Sequence, residues 1–446
     1  MRATTCNLTR IFATSMLALG CRSQPTVAPD PSSASNAERP VEGAAADIET
    51  ARVLDRRALV CAVLERNRDL AAADEAIAAA RARAGRPVAA GGTRVSYSIA
   101  PGSIGSDAVP FGQVIEVEQS VRLGQRRLER EVAGREADAV ALRRDATRNE
   151  LALAAASLYD EHYELARALE TNAEHEALVA ELVDAATRRY AAGLVSAQDP
   201  LQAELELQRI EEERLAIEAR QRVAVARTNR LLHRRADAPL PRVPDRLGSV
   251  DTADDPAELR EEALASRPEI LAAEVDVDAR ERGASLARRR FAPDLSAMAS
   301  YNSMWADPRH QFMVGVGVML PLQFGALRAG VAEARAEQRR AQRLQEAELD
   351  RVAAEVEEAL ARVEQAEATA RLYEDRLLPT ARERVAAAQI GYESDANDID
   401  ALIDAERELR SVELAYHSTL AEVDRRRAEL EWAIGRDPCS AEEVRR

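Results

Sequence analysis

The stretch QFMVGVGVML, residues 311–320, is the cleanest alternating segment of the chain. Its even-numbered positions carry Phe, Val or Leu, and its odd-numbered positions carry Gln, Met or Gly. Because successive side chains of a strand point to opposite faces, this spacing predicts a strand with one apolar face. Three further segments alternate in a similar way, at residues 94–99, 113–121 and 295–305. The sequence therefore predicts four strands, arranged as two pairs.

Helical patterns surround each pair of strands, and their order repeats. Six amphipathic segments are predicted as helices: 54–85, 126–190, about 200–233, 257–289, 327–392 and 400–434. The breaks after the two long helices align at an offset of 202 residues, so that Tyr190 matches Tyr392 and Leu207 matches Leu409. The predicted fold class is mainly α with a small β part, built from two tandem helix-strand-strand-long helix-helix repeats.

The predicted domain boundaries follow from these repeats. They are a signal peptide at 1–21, a disordered tether at 22–53, the first repeat at 54–234, a proline-interrupted linker at 235–256, the second repeat at 257–437 and a tail at 438–446. The tether is rich in Pro, Ser and Ala and has too few large apolar residues to offset its ordering entropy.

The first 21 residues have the pattern of an export signal, with Arg2 and Arg10 before an apolar run. The run ends at Gly20-Cys21, which is typical of a lipobox, so Cys21 is the predicted lipidation site. An ordinary cleaved signal with a chance cysteine is the alternative, and both interpretations predict export. No later stretch has the run of about 18 apolar residues that a membrane-spanning helix needs.

Composition excludes several classes of protein. Charged residues make up 31% of the 446 positions and aromatic residues only 3%, which favours long helices over a large globular core. The formal net charge of -16 argues against a nucleic-acid partner. There is no lysine, because all 61 basic residues are arginine, and this closes the phosphate-loop and Schiff-base mechanisms.

No pattern of catalytic, cofactor-binding or metal-ligating residues emerges from the sequence. The cysteines Cys6, Cys21, Cys61 and Cys439 are too few and too scattered to suggest a disulfide framework or a zinc site. The five histidines have no metal-ligand spacing and are predicted to lie at the surface. Met298, Met304, Met313 and Met319 could offer thioethers to Cu(I), although apolar filling of the strand faces explains them more simply. The sequence therefore predicts a protein that is not an enzyme and that has no metal or cofactor.

The lengths of the predicted helices suggest a tube. Each long helix would span about 100 Å at 1.5 Å per residue. A coiled-coil rod explains such helices equally well but does not explain the two strand pairs. Four strands of this length can cross a bilayer only if no edge stays unpaired, and three copies would supply about 12 strands for closure. We therefore expect a homotrimer that forms a 12-strand outer-membrane β-barrel on a long α-helical barrel.

Several short motifs, taken in order, resemble those of the TolC-type outer-membrane efflux proteins. They are Tyr190-Ala-Ala-Gly193, Arg267-Pro-Glu-Ile270, Phe291-Ala-Pro-Asp-Leu295, the segment 314–322, Gly325-Ala-Leu-Arg328 and Leu377-Leu-Pro379. The resemblance covers roughly residues 54–437. The segment VRLGQRR at 121–127 is most similar to the subgroup that is paired with heavy-metal cation pumps.

This resemblance implies a passive duct that conducts substrates, such as heavy-metal cations or small toxic compounds, to the exterior. Its partners would be two further copies, a periplasmic adaptor protein, an inner-membrane pump and outer-membrane lipid. The implied location is the outer membrane, with the helical barrel in the periplasm. The alternative is a periplasmic coiled-coil adaptor or structural protein, but an adaptor has one hairpin and this chain has two.

Two groups of candidate residues lie at the predicted breaks. Asp199, Asp395, Asp398, Asp400 and Asp404 would each become a ring of three in a trimer, forming a cation-favouring constriction. A solvated acidic loop with a helix cap at Asp398 or Asp400 is the alternative.

The second group is the predicted adaptor-docking turn, Gly193, Leu194, Val195 and Ser196, for which ordinary turn chemistry is the alternative. The family's Tyr-x-x-Gly motif reads Tyr392-Glu-Ser-Asp395 at the second break. The tight turn that Gly193 allows at the first break is therefore not assured at the second.

Overall fold

The computed structural model describes residues 48, 51–86, 93–105, 111–122, 124–247, 255–305, 307–394, 396–436 and 439. The predicted signal peptide with Cys21, almost all of the predicted tether, and Asp395 lie outside these residues. All the described residues belong to one compact unit, Ala44–Arg446.

The described chain is mostly helical. Its helices are α1 Arg56–Arg66, α2 Arg68–Gly85, α3 Gln125–Ala191, α4 Gln198–Leu231, α5 Pro256–Ser266, α6 Pro268–Arg289, α7 Phe324–Leu372, α8 Leu378–Glu393 and α9 Ile399–Ile434. Its strands are β1 Arg94–Ile99, β2 Gln113–Val121, β3 Asp294–Asn302 and β4 Phe312–Met319. The predicted repeat of helix, strand, strand, long helix and shorter helix is present twice in this order. None of the described helices combines the length and the apolarity that a membrane-spanning helix needs.

The first helical segment of each repeat is broken, where the sequence predicts one continuous helix. In the first repeat Asn67 leaves the helical conformation and caps α2, its side chain accepting from the Asp69 amide. In the second repeat Arg267 precedes Pro268, and a residue before proline is pushed toward extended conformations. Both breaks therefore have a local cause that the apolar spacing does not reveal.

The second long helix also departs from a regular α-helix. A π-helical turn, Tyr373–Leu377, separates α7 from α8. Pro379 follows it at the start of α8, and proline has no amide hydrogen to donate to the residue four positions earlier. The wider turn accommodates this lost hydrogen bond.

The four strands form one antiparallel sheet in the order β1-β2-β3-β4. Strands from both repeats thus share a sheet, because β2 of the first repeat pairs with β3 of the second. Ile115 lies opposite Tyr301, and Val117 lies opposite Ala299. β1 and β4 form the two edges.

One face of the sheet is apolar and exposed. Val314 and Val316 of β4 are 89% and 78% exposed, and Val95 and Tyr97 of β1 are also exposed. The registers Val95↔Val117, Ala299↔Val314 and Ala297↔Val316 align the apolar positions across the strands. The opposite face carries polar residues, and Ser96 pairs with Glu116 there. The predicted alternation of the strands is confirmed.

A buried arginine joins the helices of the second repeat. The side chain of Arg267 is 1% exposed and donates to both carboxylate oxygens of Glu269, at 2.9 and 3.1 Å. It also pairs with Glu355 of α7 at 3.2 Å and stacks on Trp432 of α9, 4.4 Å from the ring centroid. The Arg-Pro-Glu motif therefore holds α6, α7 and α9 together.

A disulfide joins Cys61 of α1 to Cys439, which follows α9. The four cysteines were predicted to be too scattered for a disulfide framework, and this prediction is wrong for Cys61 and Cys439. They are 378 residues apart, so only the fold brings them together.

Candidate functional site at the helical tip

The two predicted breaks lie together at one tip. The last turns of α3 and α8 and the first turns of α4 and α9 share a buried apolar cluster. Its members are Ala186, Ala203, Ala388, Tyr392, Ile399, Leu402, Ile403 and Ala405. Residues of the two repeats that are about 200 positions apart thus form one structural unit.

The turn between α3 and α4 depends on a glycine. Gly193 has a φ of 71°, a conformation that costs other residues roughly 1–2 kcal/mol. Its amide donates to the Tyr190 carbonyl at 2.9 Å, and the Leu194 amide donates to the Arg189 carbonyl at 2.9 Å. These two bonds form a Schellman motif, which ends the long helix.

The second turn closes in a related way without a glycine at position 395. The Ala396 amide donates to the Gly391 carbonyl at 2.8 Å, which is the bond equivalent to that between Leu194 and Arg189. A side chain at Gly391 would clash with the amide of Asn397, so the glycine at this turn is needed four residues earlier. A tight turn was not assured at the second break, but this hydrogen bond closes one there. Asp395 itself lies outside the described residues.

The predicted docking residues differ in their surroundings. Leu194 is 67% exposed, and Val195 is half-buried. The Ser196 hydroxyl donates to Asp199 Oδ1 at 2.8 Å and accepts from the Gln198 amide at 3.2 Å. Ser196 therefore has a local role in starting α4, whereas Leu194 is available for contact.

The four described aspartates of the predicted constriction lie at the starts of two neighbouring helices. Asp398 occupies the cap position of α9, but its side chain accepts no capping hydrogen bond. Asp400 accepts from Gln202 of α4 at 3.2 Å, which places the starts of α4 and α9 side by side. Asp404 pairs with Arg407 at 2.9 Å. Asp398, Asp400 and Asp404 are exposed and Asp199 is half-buried, so most of this charge faces solvent.

One ion pair between the two repeats was not predicted. Glu206 of α4 is buried, and its carboxylate accepts from Arg407 of α9 at 2.7 Å and lies 3.5 Å from Arg410. Glu206 falls on the buried stripe of α4 that also carries Ala203 and Ile210. A carboxylate on an apolar stripe indicates a buried charge that needs a partner. The sequence does not identify that partner, because it lies 201 residues away.

A second polar contact lies further from the turns. His175 of α3 is buried, and its ring nitrogens face Glu406 at 3.5 Å and Glu413 at 3.0 Å, both on α9. Burial lowers the pKa of His175, but hydrogen bonds and charges from the two glutamates outweigh burial and raise this pKa to about 9. Arg382 of α8 also binds Glu413, at 3.2 Å. A charged histidine thus links α3 to α9.

The equivalent tyrosines of the two repeats have different roles. Tyr392 is buried, while Tyr190 is 49% exposed. Arg189 donates to the Tyr392 carbonyl at 2.9 Å, and its guanidinium lies 4.6 Å from the centre of the Tyr392 ring. The repeat position before Tyr392 is Gly391, so the second repeat has no arginine that could bind Tyr190 in the same way.

The prediction that all five histidines lie at the surface is wrong for two of them. His162 is buried and lies 3.0 Å from the Thr228 hydroxyl. Burial lowers the pKa of His162 to about 4, so this side chain is neutral at pH 7. His175 is the other, and its two glutamates explain why a charged histidine is tolerated there.

Two of the four methionines fill the space beside glycines, whereas Met313 and Met319 are exposed. Met298 lies over Gly315, where an added side chain would come within 3.1 Å of its Cγ, and Met304 lies over Gly112 in the same way. This arrangement favours apolar filling over a metal path. Within the described ranges, no group of three or more histidine, cysteine, aspartate or glutamate side chains is arranged to hold a metal ion.

Comparisons with known proteins support the resemblance. Residues 259–436 match the family model described as outer membrane efflux protein. No curated protein matches the chain by sequence. Several solved structures match it by fold, and each similarity given below extends over most of this chain and most of the other.

The outer-membrane channel OprN has a TM-score of 0.75 and 20% identity, over 90% of this chain and 97% of its own. CusC has a TM-score of 0.76 and 19% identity, over 87% and 94%. The outer membrane protein VceC from Vibrio cholerae has a TM-score of 0.71 and 20% identity, over 84% and 95%. The chain therefore matches this family model over residues 259–436 and has the fold of these outer-membrane channels.

Proposed function

We propose that this protein is the outer-membrane duct of a tripartite efflux system. It conducts substrates passively from an inner-membrane pump and a periplasmic adaptor to the exterior. The single observation that carries the proposal is the sheet: one face is mostly apolar, with its edge strands β1 and β4 exposed, beside a helix about 100 Å long. The efflux domain at residues 259–436 supports the same function.

The functional unit is a homotrimer. The sheet has two edge strands, β1 and β4, and unpaired edges are not tolerated in lipid. Three copies supply 12 strands and close the sheet into a barrel. Its apolar face then contacts lipid, while Ser96 and Glu116 of the polar face line the water-filled interior.

The helices offer a matching surface for neighbouring copies. α4 has an exposed apolar stripe whose members fall on one face of the helix: Leu201, Leu205, Leu215 and Val223. Its opposite face is the one buried against α3 and α9. An α-helical barrel of three copies covers such a stripe, because each helix of a barrel wall packs on both sides.

The tip is the periplasmic end and the gate. In the trimer Asp199, Asp395, Asp398, Asp400 and Asp404 contribute rings of carboxylates that favour cations at the narrow opening. The exposed Leu194 beside Gly193, Val195 and Ser196 contacts the adaptor. The gate opens when α8 and α9 splay away from α3 and α4, and the Glu206 and His175 contacts hold it closed.

The N-terminal segment delivers and anchors the protein. The signal is cleaved before Cys21 after export, and Cys21, as the new N-terminus, carries a lipid that holds the chain at the outer membrane through the tether at 22–53. The substrates are heavy-metal cations or small toxic compounds. The pump selects them, and the duct adds only a preference for charge.

The experiment is single-channel conductance of the purified protein in a planar bilayer. Wild type is expected to form a low-conductance, cation-selective pore. The variant Asp398→Asn/Asp400→Asn is expected to lose part of this selectivity, whereas Asp237→Asn/Asp245→Asn, which changes two exposed aspartates of the linker, serves as the charge-matched control. A soluble monomer or dimer without a pore would contradict the duct and favour a coiled-coil adaptor.

A further inference from the structure

The disulfide between Cys61 and Cys439 ties together the two ends of the described chain. Cys61 lies on α1, near the start of the described residues, and Cys439 is the last of them. Their Cα atoms are 5.8 Å apart across a separation of 378 residues. The bond therefore closes both repeats and the linker between them into one covalent ring.

α1 is packed into the body of helices around this bond. Leu59 and Val63 are fully buried in a cluster with Ala155 and Tyr159 of α3. Cys439 is partly buried against the same cluster. The disulfide thus lies at the edge of an apolar contact rather than in a solvated loop.

Hydrogen bonds connect α1 and its flanking residues to four other parts of the chain. Arg56 donates to Asp160 of α3 and to the Asp424 carbonyl of α9, both at 2.9 Å. The Asn67 amide group donates to the Leu231 carbonyl at the end of α4, at 3.3 Å. The Leu54 amide donates to the Arg242 carbonyl of the linker, at 2.7 Å. α1 is therefore the element at which both repeats and the linker meet.

The two ends of α9 are held differently. At the tip its contacts to the first repeat are non-covalent: Arg407 with Glu206, His175 with Glu413, and the apolar cluster around Ile399. At the other end the chain that leaves α9 is covalently bound to α1. The N-terminal end of α9 can therefore move away from α3, whereas its C-terminal end is held close to α1 by the disulfide.

We propose that the Cys61–Cys439 disulfide is a covalent clamp, formed after export, that fixes the C-terminal end of α9 and makes it the pivot for opening at the tip. The pivot role rests on the proposed duct function. The clamp itself requires only that the bond forms and holds α1 in place.

Formation of the bond requires an oxidant. The two thiols lose two protons and two electrons and become a disulfide, and the disulfide of an extracytoplasmic thiol oxidoreductase accepts them and becomes a dithiol. Such oxidants act outside the cytoplasm, which agrees with the export signal at residues 1–21.

The cysteine inventory fits this reaction. Cys6 lies in the segment predicted to be removed, and Cys21 is the predicted lipidation site. The mature chain would then hold two free thiols, Cys61 and Cys439, and each has one possible partner within the chain. Mispairing within a protomer is excluded by this arrangement.

The first experiment is thiol mapping of the full-length protein, purified from membranes without reductant. Free thiols are alkylated with iodoacetamide, and the protein is digested and analysed by mass spectrometry. We expect a linked pair of peptides containing Cys61 and Cys439, with neither cysteine alkylated. Full alkylation of both would overturn the clamp.

The second experiment measures amide hydrogen exchange in the oxidised protein, in the protein treated with dithiothreitol, and in the variant Cys61→Ala/Cys439→Ala. The thiol-free variant covers the case in which the reductant does not reach the bond. We expect exchange at residues 56–66 and 424–434 to be at least tenfold faster without the bond, and exchange at residues 399–410 to change less than twofold. Unchanged exchange in α1, for both the reduced protein and the variant, would overturn the clamp.

Bilayer conductance of the same samples separates the two proposals. If the oxidised protein forms no pore, the duct function and with it the pivot role are contradicted, whatever the state of the cysteines. If the oxidised protein forms the expected pore but amide exchange in α1 does not change without the disulfide, only the clamp is contradicted.

Discussion

Glu206 of α4, which is buried, and Arg407 of α9, which is 41% exposed, form an ion pair at 2.7 Å that joins the two repeats near the tip. Glu206 is 3% exposed, and Arg410 lies 3.5 Å from the same carboxylate. Because removing one partner leaves the other side uncompensated, such pairs are costly to break even when their net contribution is small. This contact is where we expect the resistance of the tip to opening to be concentrated.

The variant Glu206→Gln tests that expectation. Loss of the carboxylate leaves Arg407 and Arg410 without their shared partner, so the closed tip is destabilised and single-channel conductance is expected to rise several-fold. Glu213→Gln is the control, since Glu213 pairs with Arg410 at 3.5 Å from a more exposed position than Glu206 and lies outside the proposed rings of aspartates. Equal effects of both variants, or no change in either, would argue against a gate at Glu206.

The second prediction concerns pH. The pKa of His175 is raised from 6.5 to about 9 in the folded protein, so its contribution to stability is fully present below pH 6.5 and is lost as pH rises through 9. This shift corresponds to roughly 3 kcal/mol. The melting temperature of wild type is therefore expected to fall between pH 7 and 9.5, and His175→Gln is expected to flatten that fall.

His162→Gln is the matched control for this measurement. The pKa of His162 is lowered to about 4, so this histidine is neutral in the folded protein throughout the window from pH 7 to 9.5. Its replacement can lower the melting temperature but is expected to leave the slope with pH unchanged. A slope in His175→Gln as steep as that of wild type would show that other groups cause the pH dependence.

The third prediction concerns the Arg-Pro-Glu motif. Arg267→Gln removes a fully buried guanidinium from Glu269, Glu355 and the ring of Trp432. We expect a loss of about 3 kcal/mol in the free energy of unfolding, because two partly buried carboxylates lose a buried cationic partner, although Glu355 keeps Arg351. Arg260→Gln is the control, since Arg260 pairs with Glu357 at an exposed position. Chemical denaturation of the two variants should differ clearly, and similar midpoints would refute the role assigned to Arg267.

The fourth prediction concerns the turn at the tip. Gly193→Ala places a side chain at a φ of 71° and is expected to cost roughly 1–2 kcal/mol locally. Amide exchange at residues 188–196 should accelerate accordingly. Gly134→Ala is the control: Gly134 lies inside α3 with open space around it, and its replacement is expected to be neutral or to stabilise by up to about 1 kcal/mol. A harmless Gly193→Ala would mean that the turn is not constrained by its glycine.

The fifth prediction concerns the exposed apolar face of the sheet. Val316→Arg places a charge at a position that the proposed barrel turns toward lipid, at a cost of about 2–4 kcal/mol near the bilayer midplane. Ser300→Arg, on the polar face of β3 and opposite Glu116, is the control. Only Val316→Arg should reduce the amount of folded protein recovered from outer membranes. Equal recovery of both variants would contradict the assignment of the faces.

The sequence by itself determined the elements and their order. The alternation at residues 311–320 located β4, and the offset of 202 residues revealed the duplication. These signals are local, because a strand or a helix buries one face at a spacing that its own residues display. Even so, Asn67 and Arg267 interrupt helices whose apolar spacing looks continuous.

The tertiary structure decided which distant residues meet. Three pairs could not be predicted from one sequence, because the two members of each lie more than 200 residues apart. They are Glu206 with Arg407, His175 with Glu413, and Cys61 with Cys439. The aspartates could be assigned to the two breaks, but only packing of the four helix ends brought those breaks to one tip. Local periodicity specifies faces, whereas contacts across a bundle depend on the registers of whole helices, and those registers are set only when all the faces are buried together.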